Sequence, residues 1–238
     1  MQVKCHANLV HNQSHDRIWK YRLSSTGLLV TRVREPREIR TAHATVLFAD
    51  LRGYTGMVES LPAARVVPLL DEFFRVLGAA ASQYGGKIYH MAGDGIMAGF
   101  GMNGESGGGA AQALAAGHAM LNGFAPVAQR WRADLSVDAG IGIGLHLGEV
   151  AFGLLGPPKR KTTTLVGDTV NVAARLCGRA RAGEVLFSCT IATALSISAD
   201  TNGHGGARSF LQLPQFELRG RRGPIDIWCV PAPERLAL

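Results

Sequence analysis

The sequence lacks any uninterrupted apolar run long enough to cross a membrane, since a spanning helix needs about 20 consecutive apolar residues. Its longest candidate, residues 107–128, is interrupted by a glutamine, a histidine, an asparagine and a proline. We interpret most of that stretch as a buried amphipathic helix. The N-terminal segment MQVKCHANLVHNQSHDRIWKYR also lacks the apolar core of a signal peptide. We therefore expect no membrane segment within this chain and a cytoplasmic location.

Cysteines are scarce, and none of the four forms a CxxC pair or has the spacing of a metal site. This usage is typical of reduced thiols in a cytosolic protein. Acidic residues are also fewer than basic ones, 18 against 25, which leaves a net charge of +7. Such a surplus suits a polyanionic partner or simply keeps the protein soluble. The basic residues are scattered and not interleaved with aromatics, so we do not expect nucleic-acid binding.

The composition that remains, 47% hydrophobic and 18% charged, is that of an ordinary globular protein. We predict an N-terminal lead-in over residues 1–40, whose role the sequence does not assign, and one folded domain over residues 41–238. Within the lead-in, residues 26–33 have the composition of a strand, and the charged, proline-containing residues 34–40 are typical of a linker.

Apolar periodicity over residues 41–238 alternates between strand-like and helix-like segments. This alternation predicts a fold of the α/β class, arranged as an α+β sandwich in which helices flank a mixed sheet. We predict strands at 44–49, 87–91, 96–100, 139–147, 149–154, 162–166 and 225–230, tight turns at 50–56, 92–95 and Gly148, and helices at 61–84, from about 110 to 131, and from a cap at Asp168 to about 180.

Two carboxylates occupy the positions where chemistry is expected. Asp50 ends a buried strand, and Asp94 lies in a glycine-flanked hairpin turn. A carboxylate at the edge of a buried strand is costly unless a cation pairs with it. Either aspartate alone is commonly a turn cap, but two on adjacent strand ends can share divalent cations such as Mg²⁺. Paired cations activate a hydroxyl nucleophile and stabilise a leaving group.

Two further segments are compatible with phosphate chemistry. RGYTG, residues 52–56, follows Asp50, and its glycines allow backbone N–H groups to approach phosphate oxygens. Asn171 and Arg175 are spaced i, i+4 on the predicted helix and therefore share one face. An arginine can stabilise charge on a phosphoryl group, although a solvated helix face explains the same pair.

Together the segments VLFADLRGYTGM, GGKIYHMAGDGIMAGFG and TLVGDTVNVAARL, in this order, resemble the class III adenylate and guanylate cyclase catalytic domain. The resemblance spans about residues 41–230. It implies a ferredoxin-like cyclase fold with a mostly antiparallel sheet, and active sites at a head-to-tail homodimer interface. It also implies conversion of a nucleoside triphosphate to a 3′,5′-cyclic monophosphate and pyrophosphate on two divalent ions, Mg²⁺ or Mn²⁺.

The resemblance also implies roles for individual residues that match the family's motif positions. Asp50 and Asp94 match the metal-binding pair, with the Leu51 backbone completing the metal site. Asn171 matches the residue that orients the ribose, and Arg175 the one that stabilises the transition state. The remaining matches are phosphate contacts: the Leu51, Gly53, Tyr54 and Thr55 cradle, the basic Lys159 and Arg160, and Arg219 in place of a triphosphate-binding lysine.

The base-selecting positions depart from the family pattern. They correspond to His90 and Thr164. Threonine is a normal variant for adenine, whereas His90 is neither the lysine of adenylate cyclases nor the glutamate of guanylate cyclases. ATP and a pyrimidine triphosphate both remain open as substrates, with GTP behind them. The second is the substrate of stand-alone bacterial enzymes that make cyclic UMP or cyclic CMP for antiphage signalling. His90 as an ordinary strand residue is a further alternative.

Other functional classes fit less well. The chain has no GGDEF-like string of a diguanylate cyclase and lacks the fingers and thumb of a polymerase. A catalytically inactive module that dimerises or senses nucleotide is the strongest rival. Such modules usually lose a metal-binding aspartate or the transition-state arginine, and this sequence retains Asp50, Asp94 and Arg175.

Overall fold

The computed structural model describes residues 18–24, 27–33, 39–104, 106–157, 159–197, 210–217 and 223–231. The chain divides into two compact units, Met1–Glu38 and Ile39–Leu238. The first contains an antiparallel hairpin of β1 (Ile18–Ser24) and β2 (Gly27–Val33). β2 confirms the strand predicted at 26–33, whereas β1 was not predicted. Most of the predicted linker, residues 34–38, lies outside the described residues.

In the described part of the second unit, the strands form one eight-stranded sheet. Its order is β4-β5-β3-β6-β8-β10-β9, with β7 pairing the far half of β6. The β6–β8 pair is parallel and the other pairs are antiparallel, so the mixed, mostly antiparallel sheet is confirmed. The strands are β3 (Arg40–Arg52), β4 (Lys87–Ala92), β5 (Gly95–Phe100), β6 (Gly140–Leu155), β7 (Thr162–Val166), β8 (Val185–Ser188), β9 (Leu211–Phe216) and β10 (Ile225–Val230).

Helices cover both faces of this sheet. Side chains alternate between faces along a strand, and Ile143 and Leu145 of β6 belong to the large core beneath α2 and α3. The intervening glycine, Gly144, faces α4 instead. Edge-to-face ring contacts join α2 to α3 in that core, with Phe73 and Phe124 centroids 5.5 Å apart. The helices are α1 (Tyr54–Ser60), α2 (Ala63–Gln83), α3 (Ala110–Leu135), α4 (Asp168–Arg179) and α5 (Cys189–Ala194), with a 3₁₀ turn at Ser106–Gly109.

Three sequence predictions are corrected by the structure. Gly148 does not turn the chain, because it pairs with Ala44 inside one continuous β3–β6 ladder. The tight turn predicted for residues 50–56 is confined to Gly53, and Tyr54 already begins α1. Asp168 is the first residue of α4 and Gly167 is the cap. The Asp168 carboxylate is still favourable there, because it lies at the positive end of the helix dipole.

The β4–β5 hairpin and the strand Ile225–Val230 are confirmed. None of the helices in the described part of the chain is both long and apolar enough to cross a membrane.

Candidate active site

Asp50 and Asp94 are brought together by the pairing of β3 with β5. Asp50 lies opposite Gly95 in that ladder, so its carboxylate reaches the turn that contains Asp94. The backbone N–H of Leu51 donates to the Asp94 carbonyl at 2.9 Å and fixes the turn against the strand. Both aspartates are half-buried. The predicted carboxylate pair therefore exists within a single chain.

The surroundings of Asp50 disfavour its ionised form. Burial raises the pKa of Asp50, the neighbouring Asp94 charge raises it further, and Arg52 lowers it by its charge and a hydrogen bond. The net pKa of Asp50 lies above its ordinary value. Burial and the Asp94 charge together outweigh the Arg52 guanidinium, and a bound cation would stabilise the ionised carboxylate.

The donor set fits Mg²⁺ or Mn²⁺ better than a metal that requires a full protein cage. The described residues contain no group of three or more His, Cys, Asp or Glu side chains placed to hold a metal. Mg²⁺ commonly takes one or two carboxylates and completes its octahedron with water and phosphate oxygens. Asp50 and Asp94 match that requirement. The Leu51 peptide connects the two, because Leu51 follows Asp50 in the chain and its N–H donates to the Asp94 carbonyl.

Arg52 makes a three-way connection beside the pair. It lies two residues after Asp50 on β3 and therefore on the same face. One guanidinium nitrogen donates to Asp50 Oδ2, a second to the Cys177 carbonyl, and Nε donates to the Ala180 carbonyl at 2.9 Å. We did not predict this connection, although the alternation of β3 places the two side chains together.

The chain turns sharply at Gly53, immediately after this site. Gly53 has φ +87°, and a Cβ there would lie 2.1 Å from the Asp138 carbonyl oxygen, so only glycine fits. It caps α1, which puts Tyr54 and Thr55 in the first turn, half-buried and exposed respectively. The predicted phosphate cradle, with the buried Leu51, is thus directly beside Asp50. Phosphate binding by it stays a prediction.

Asn171 and Arg175 lie on the outward face of α4, and both side chains are exposed. The opposite face of α4 packs with its backbone directly against β6. The contact is so close that a Cβ at Gly144 would lie 2.1 Å from the Cys177 nitrogen. Within the described part of the chain, no hydrogen bond or ion pair connects Asn171 or Arg175 to Asp50 or Asp94. Assembly of the predicted site from two chains stays a prediction.

His90 follows a β-bulge in β4, where the register shifts between Ile88 and His90, and its side chain is exposed. Thr164 is half-buried on β7. Their neighbours Tyr89 and Leu165 both pack over Gly99, within 3.0 and 3.1 Å of the position a Cβ would take there. The two predicted base-selecting positions thus belong to neighbouring segments, with no hydrogen bond between them in the described structure.

Of the predicted phosphate-binding basic residues, Lys159 and Arg160 are exposed in the connection between β6 and β7. The Arg160 N–H donates to the Pro157 carbonyl at 2.9 Å, which closes a turn. No hydrogen bond or ion pair is formed between either side chain and Asp50 or Asp94 in the described structure. Arg219 lies outside the described residues.

Known proteins are similar to this chain in both sequence and fold. An adenylate cyclase of Anabaena cylindrica is 33% identical over 146 residues, which are 58% of this chain and 27% of that protein. A Mycobacterium tuberculosis protein of unassigned function is 37% identical over 139 residues, 58% of this chain and 24% of that protein. The chain thus matches about a quarter of the length of these curated relatives.

Solved structures extend the similarity to most of the chain. The adenylyl cyclase CyaB of P. aeruginosa aligns with TM-score 0.73 and 28% identity, over 82% of this chain and 96% of that one. The guanylyl cyclase Cya2 aligns with TM-score 0.69 and 28% identity, over 82% and 94%. A family model described as the adenylate and guanylate cyclase catalytic domain matches residues 37–230. The chain therefore belongs to the adenylate and guanylate cyclase catalytic domain family, the class III nucleotidyl cyclases.

Proposed function

We propose that this chain converts a nucleoside triphosphate to a 3′,5′-cyclic nucleoside monophosphate and pyrophosphate in the cytoplasm. The observation that carries the proposal is the Asp50–Asp94 pair, brought together at a strand end and a hairpin turn beside a single arginine. The same chain retains Asn171 and Arg175 on an exposed helix face, which weighs against an inactive nucleotide-sensing module.

The reaction is an intramolecular displacement. The ribose 3′-oxygen forms a bond to the α-phosphorus, the bond from that phosphorus to the bridging oxygen breaks, and pyrophosphate leaves with the electron pair. Asp50 and Asp94 would hold two divalent ions, which, when bound, lower the pKa of the attacking hydroxyl and neutralise phosphate charge. No side chain of the chain is assigned as a general base.

The other residues position the substrate and stabilise charge. Asn171 would orient the ribose, and the Arg175 guanidinium would stabilise the charge that develops on the phosphoryl oxygens. Gly53 to Thr55 contribute backbone N–H groups to the triphosphate. Lys159, Arg160 and Arg219 supply further positive charge to it. Most of the rate enhancement would come from positioning and preorganised electrostatics.

A homodimer with two equivalent sites completes this arrangement. Asn171 and Arg175 are exposed and not bonded to the aspartate pair of their own chain, so they are available to the pair of a second copy. Some large apolar side chains are exposed and available to such an interface. They include Met91, Leu154, Leu155 and Val166, each more than half exposed.

ATP is the substrate we propose first. The Anabaena relative is named an adenylate cyclase, and Thr164 is a normal residue for contact with adenine. The solved neighbours include both an adenylyl and a guanylyl cyclase, so they do not decide the base. His90 would contact the base edge as a hydrogen-bonding group.

His90 also favours a second candidate. A site built around an imidazole in place of a lysine discriminates between bases by different hydrogen bonds. Its exposed position after the β4 bulge leaves it accessible to a base. A pyrimidine cyclase that makes cyclic UMP or cyclic CMP as an antiphage signal is therefore the alternative.

Product analysis tests both candidates directly. Purified protein is incubated separately with ATP, GTP, CTP and UTP, with Mg²⁺ or Mn²⁺, and the products are identified by mass spectrometry. Cyclic AMP supports the first proposal, and cyclic UMP or cyclic CMP the second. Asp94→Ala is the matched control and should yield no product. Absence of product from all four nucleotides in wild type would contradict the cyclase proposal and favour the nucleotide-sensing module.

A further inference from the structure

Arg52 has no part in the proposed displacement, although its guanidinium touches the carboxylate of Asp50. Its side chain is 24% exposed, and that of Asp50 is 36% exposed. The three bonds of Arg52 run to two separate elements, its own strand and the C-terminal end of α4. A guanidinium can do this because its five N–H donors point in fixed directions in one plane.

The bond to Asp50 decides which carboxylate oxygen remains available. Arg52 donates to Oδ2. The other oxygen, Oδ1, lies 3.2 Å from the position a Cβ would take at Gly95, so it faces the β4–β5 turn that carries Asp94. Arg52 thus holds the Asp50 carboxylate with one oxygen occupied and the other directed toward its partner aspartate.

The other two bonds end at the last carbonyls of α4. Ala180 is the C-cap of α4, and Cys177 belongs to its last turn. The Cys177 carbonyl also accepts the Ala180 N–H at 3.0 Å. Helix C-terminal carbonyls carry partial negative charge, which a cation stabilises. The guanidinium fits there because β6 has glycine at position 142, where a Cβ would lie 2.5 Å from the terminal nitrogen.

We propose that Arg52 is a positioning residue, which fixes the orientation of Asp50 and couples cation binding at Asp50 to the end of the helix that carries Asn171 and Arg175. This inference rests on the proposed function in one respect, the binding of a divalent cation by Asp50. It requires no nucleotide, no turnover and no second chain.

Mn²⁺ binding without nucleotide measures the positioning directly, with free Mn²⁺ followed by electron paramagnetic resonance. Arg52→Lys keeps the positive charge beside Asp50 but loses the planar fork, so any loss of affinity reports orientation and not charge. We expect about tenfold weaker binding, the size of loss seen when the partner of a metal ligand is changed. Arg179→Lys is the matched control, because Arg179 lies over the Phe216 ring; it should bind like wild type.

The coupling has its own readout, hydrogen exchange of the backbone amides at residues 177–183. In wild type, Mn²⁺ should change exchange in this segment, and in Arg52→Lys that response should be lost. Arg52→Gln, which retains a single amide donor group, serves if the lysine variant fails to fold. Wild-type Mn²⁺ affinity or an unchanged exchange response in a folded variant would overturn the inference.

Failure of this inference and failure of the proposed function are distinguishable. A wild-type protein that forms no cyclic product from any nucleotide contradicts the function but leaves the Mn²⁺ measurement intact. A wild-type protein that makes product, with Arg52→Lys binding Mn²⁺ normally, retains the function and rejects the role of Arg52.

Discussion

Asp94, a proposed metal ligand, lies in a turn and contributes little packing, because it is only half-buried between two glycines. Replacement by alanine should reduce product formation at least about 100-fold, since a carboxylate that places charge at the reacting centre is lost. The fold should persist, and the pKa of Asp50 should fall because the Asp94 charge that raises it is gone.

Two measurements on Asp94→Ala, one of activity and one of stability, test this prediction together. Cyclic nucleotide formation is measured by mass spectrometry, and the thermal unfolding midpoint by circular dichroism. Normal product formation by a folded Asp94→Ala protein would mean that the assignment of the aspartate pair to two metals is wrong.

Two buried thiols should be chemically silent. Burial raises the pKa of both Cys177 and Cys229 to about 12, so at pH 8 only about one thiol in 10⁴ is the reactive thiolate. Titration of native protein with a colorimetric disulfide reagent should give the same count for wild type, Cys177→Ala and Cys229→Ala. After denaturation each variant should show one thiol fewer than wild type. A native count that drops in either variant would contradict the buried assignment.

At the scale of elements, the contact between α4 and β6 depends on glycine. A Cβ at Gly144 would lie 2.1 Å from the Cys177 nitrogen and 2.4 Å from the Ala173 carbonyl oxygen, and backbone atoms cannot rotate away. Gly144→Ala should lower the free energy of unfolding by about 2–3 kcal/mol. Gly78→Ala, within α2 and with nothing within 4 Å, should raise it by up to about 1 kcal/mol. Urea titrations of the two variants measure the contrast; equal effects would show that the α4 backbone does not rest on β6.

The α2–α3 contact includes one titratable group, Glu72. Burial alone would raise its pKa, but hydrogen bonds from Arg130 and Trp131 and the arginine charge outweigh this, so the pKa is lowered. The ionised form is therefore stabilised by folding. This contribution is complete above the ordinary value of 4.5 and is lost as pH falls through the lower folded value.

Glu72→Gln removes that contribution while it keeps an oxygen for the Trp131 N–H. Its destabilisation relative to wild type should be present at pH 7 and shrink as pH falls below about 4.5. Urea unfolding at a series of pH values measures the difference. A difference that does not vary with pH would assign the effect of Glu72 to packing alone.

Sequence patterns located most elements because apolar runs and glycines coincide with their boundaries. The β4–β5 hairpin is an example, with glycines on both sides of Asp94. The same reasoning failed at Gly148, where glycine makes room for Thr169 of α4, whose Oγ1 lies 2.6 Å from a would-be Cβ. It also missed α1, because a tertiary contact, Gly53 against Asp138, determines where the turn ends. Sequence alone does not distinguish a glycine that turns the chain from one that admits a helix.

For the candidate site, the sequence predicted Asp50, Asp94, Asn171 and Arg175, because they lie in short local motifs that resemble those of the family. The structure confirms that the aspartates adjoin and that the other two share a helix face. Arg52 was missed because its partners at the end of α4 are more than 120 residues away. Long-range hydrogen bonds of this kind have no local pattern.

At the scale of the whole molecule, the proposed division of each site between two chains predicts complementation. Asp50→Ala and Arg175→Ala should each be inactive as homodimers. A mixed dimer would contain one site with both defects and one with neither. Subunit exchange at equal amounts should therefore restore about a quarter of wild-type activity, because half of the dimers are mixed and each has one intact site of two. Product formation before and after mixing measures the recovery.

The complementation experiment needs a control that shows exchange of subunits between the two variants. Differently tagged subunits, captured on one tag and probed for the other, show whether mixed dimers form. Inactive mixtures with demonstrated exchange would contradict a site shared between chains.

The glycines of β6 also limit how this molecule can be regulated. At Gly144 the backbone of α4 lies directly on the strand, without a side chain between them. Within one chain, the helix that carries Arg175 is accordingly held against the sheet that carries Asp50. In the proposed homodimer, an upstream signal would therefore adjust the catalytic geometry by moving one catalytic domain relative to the other, with little change inside either.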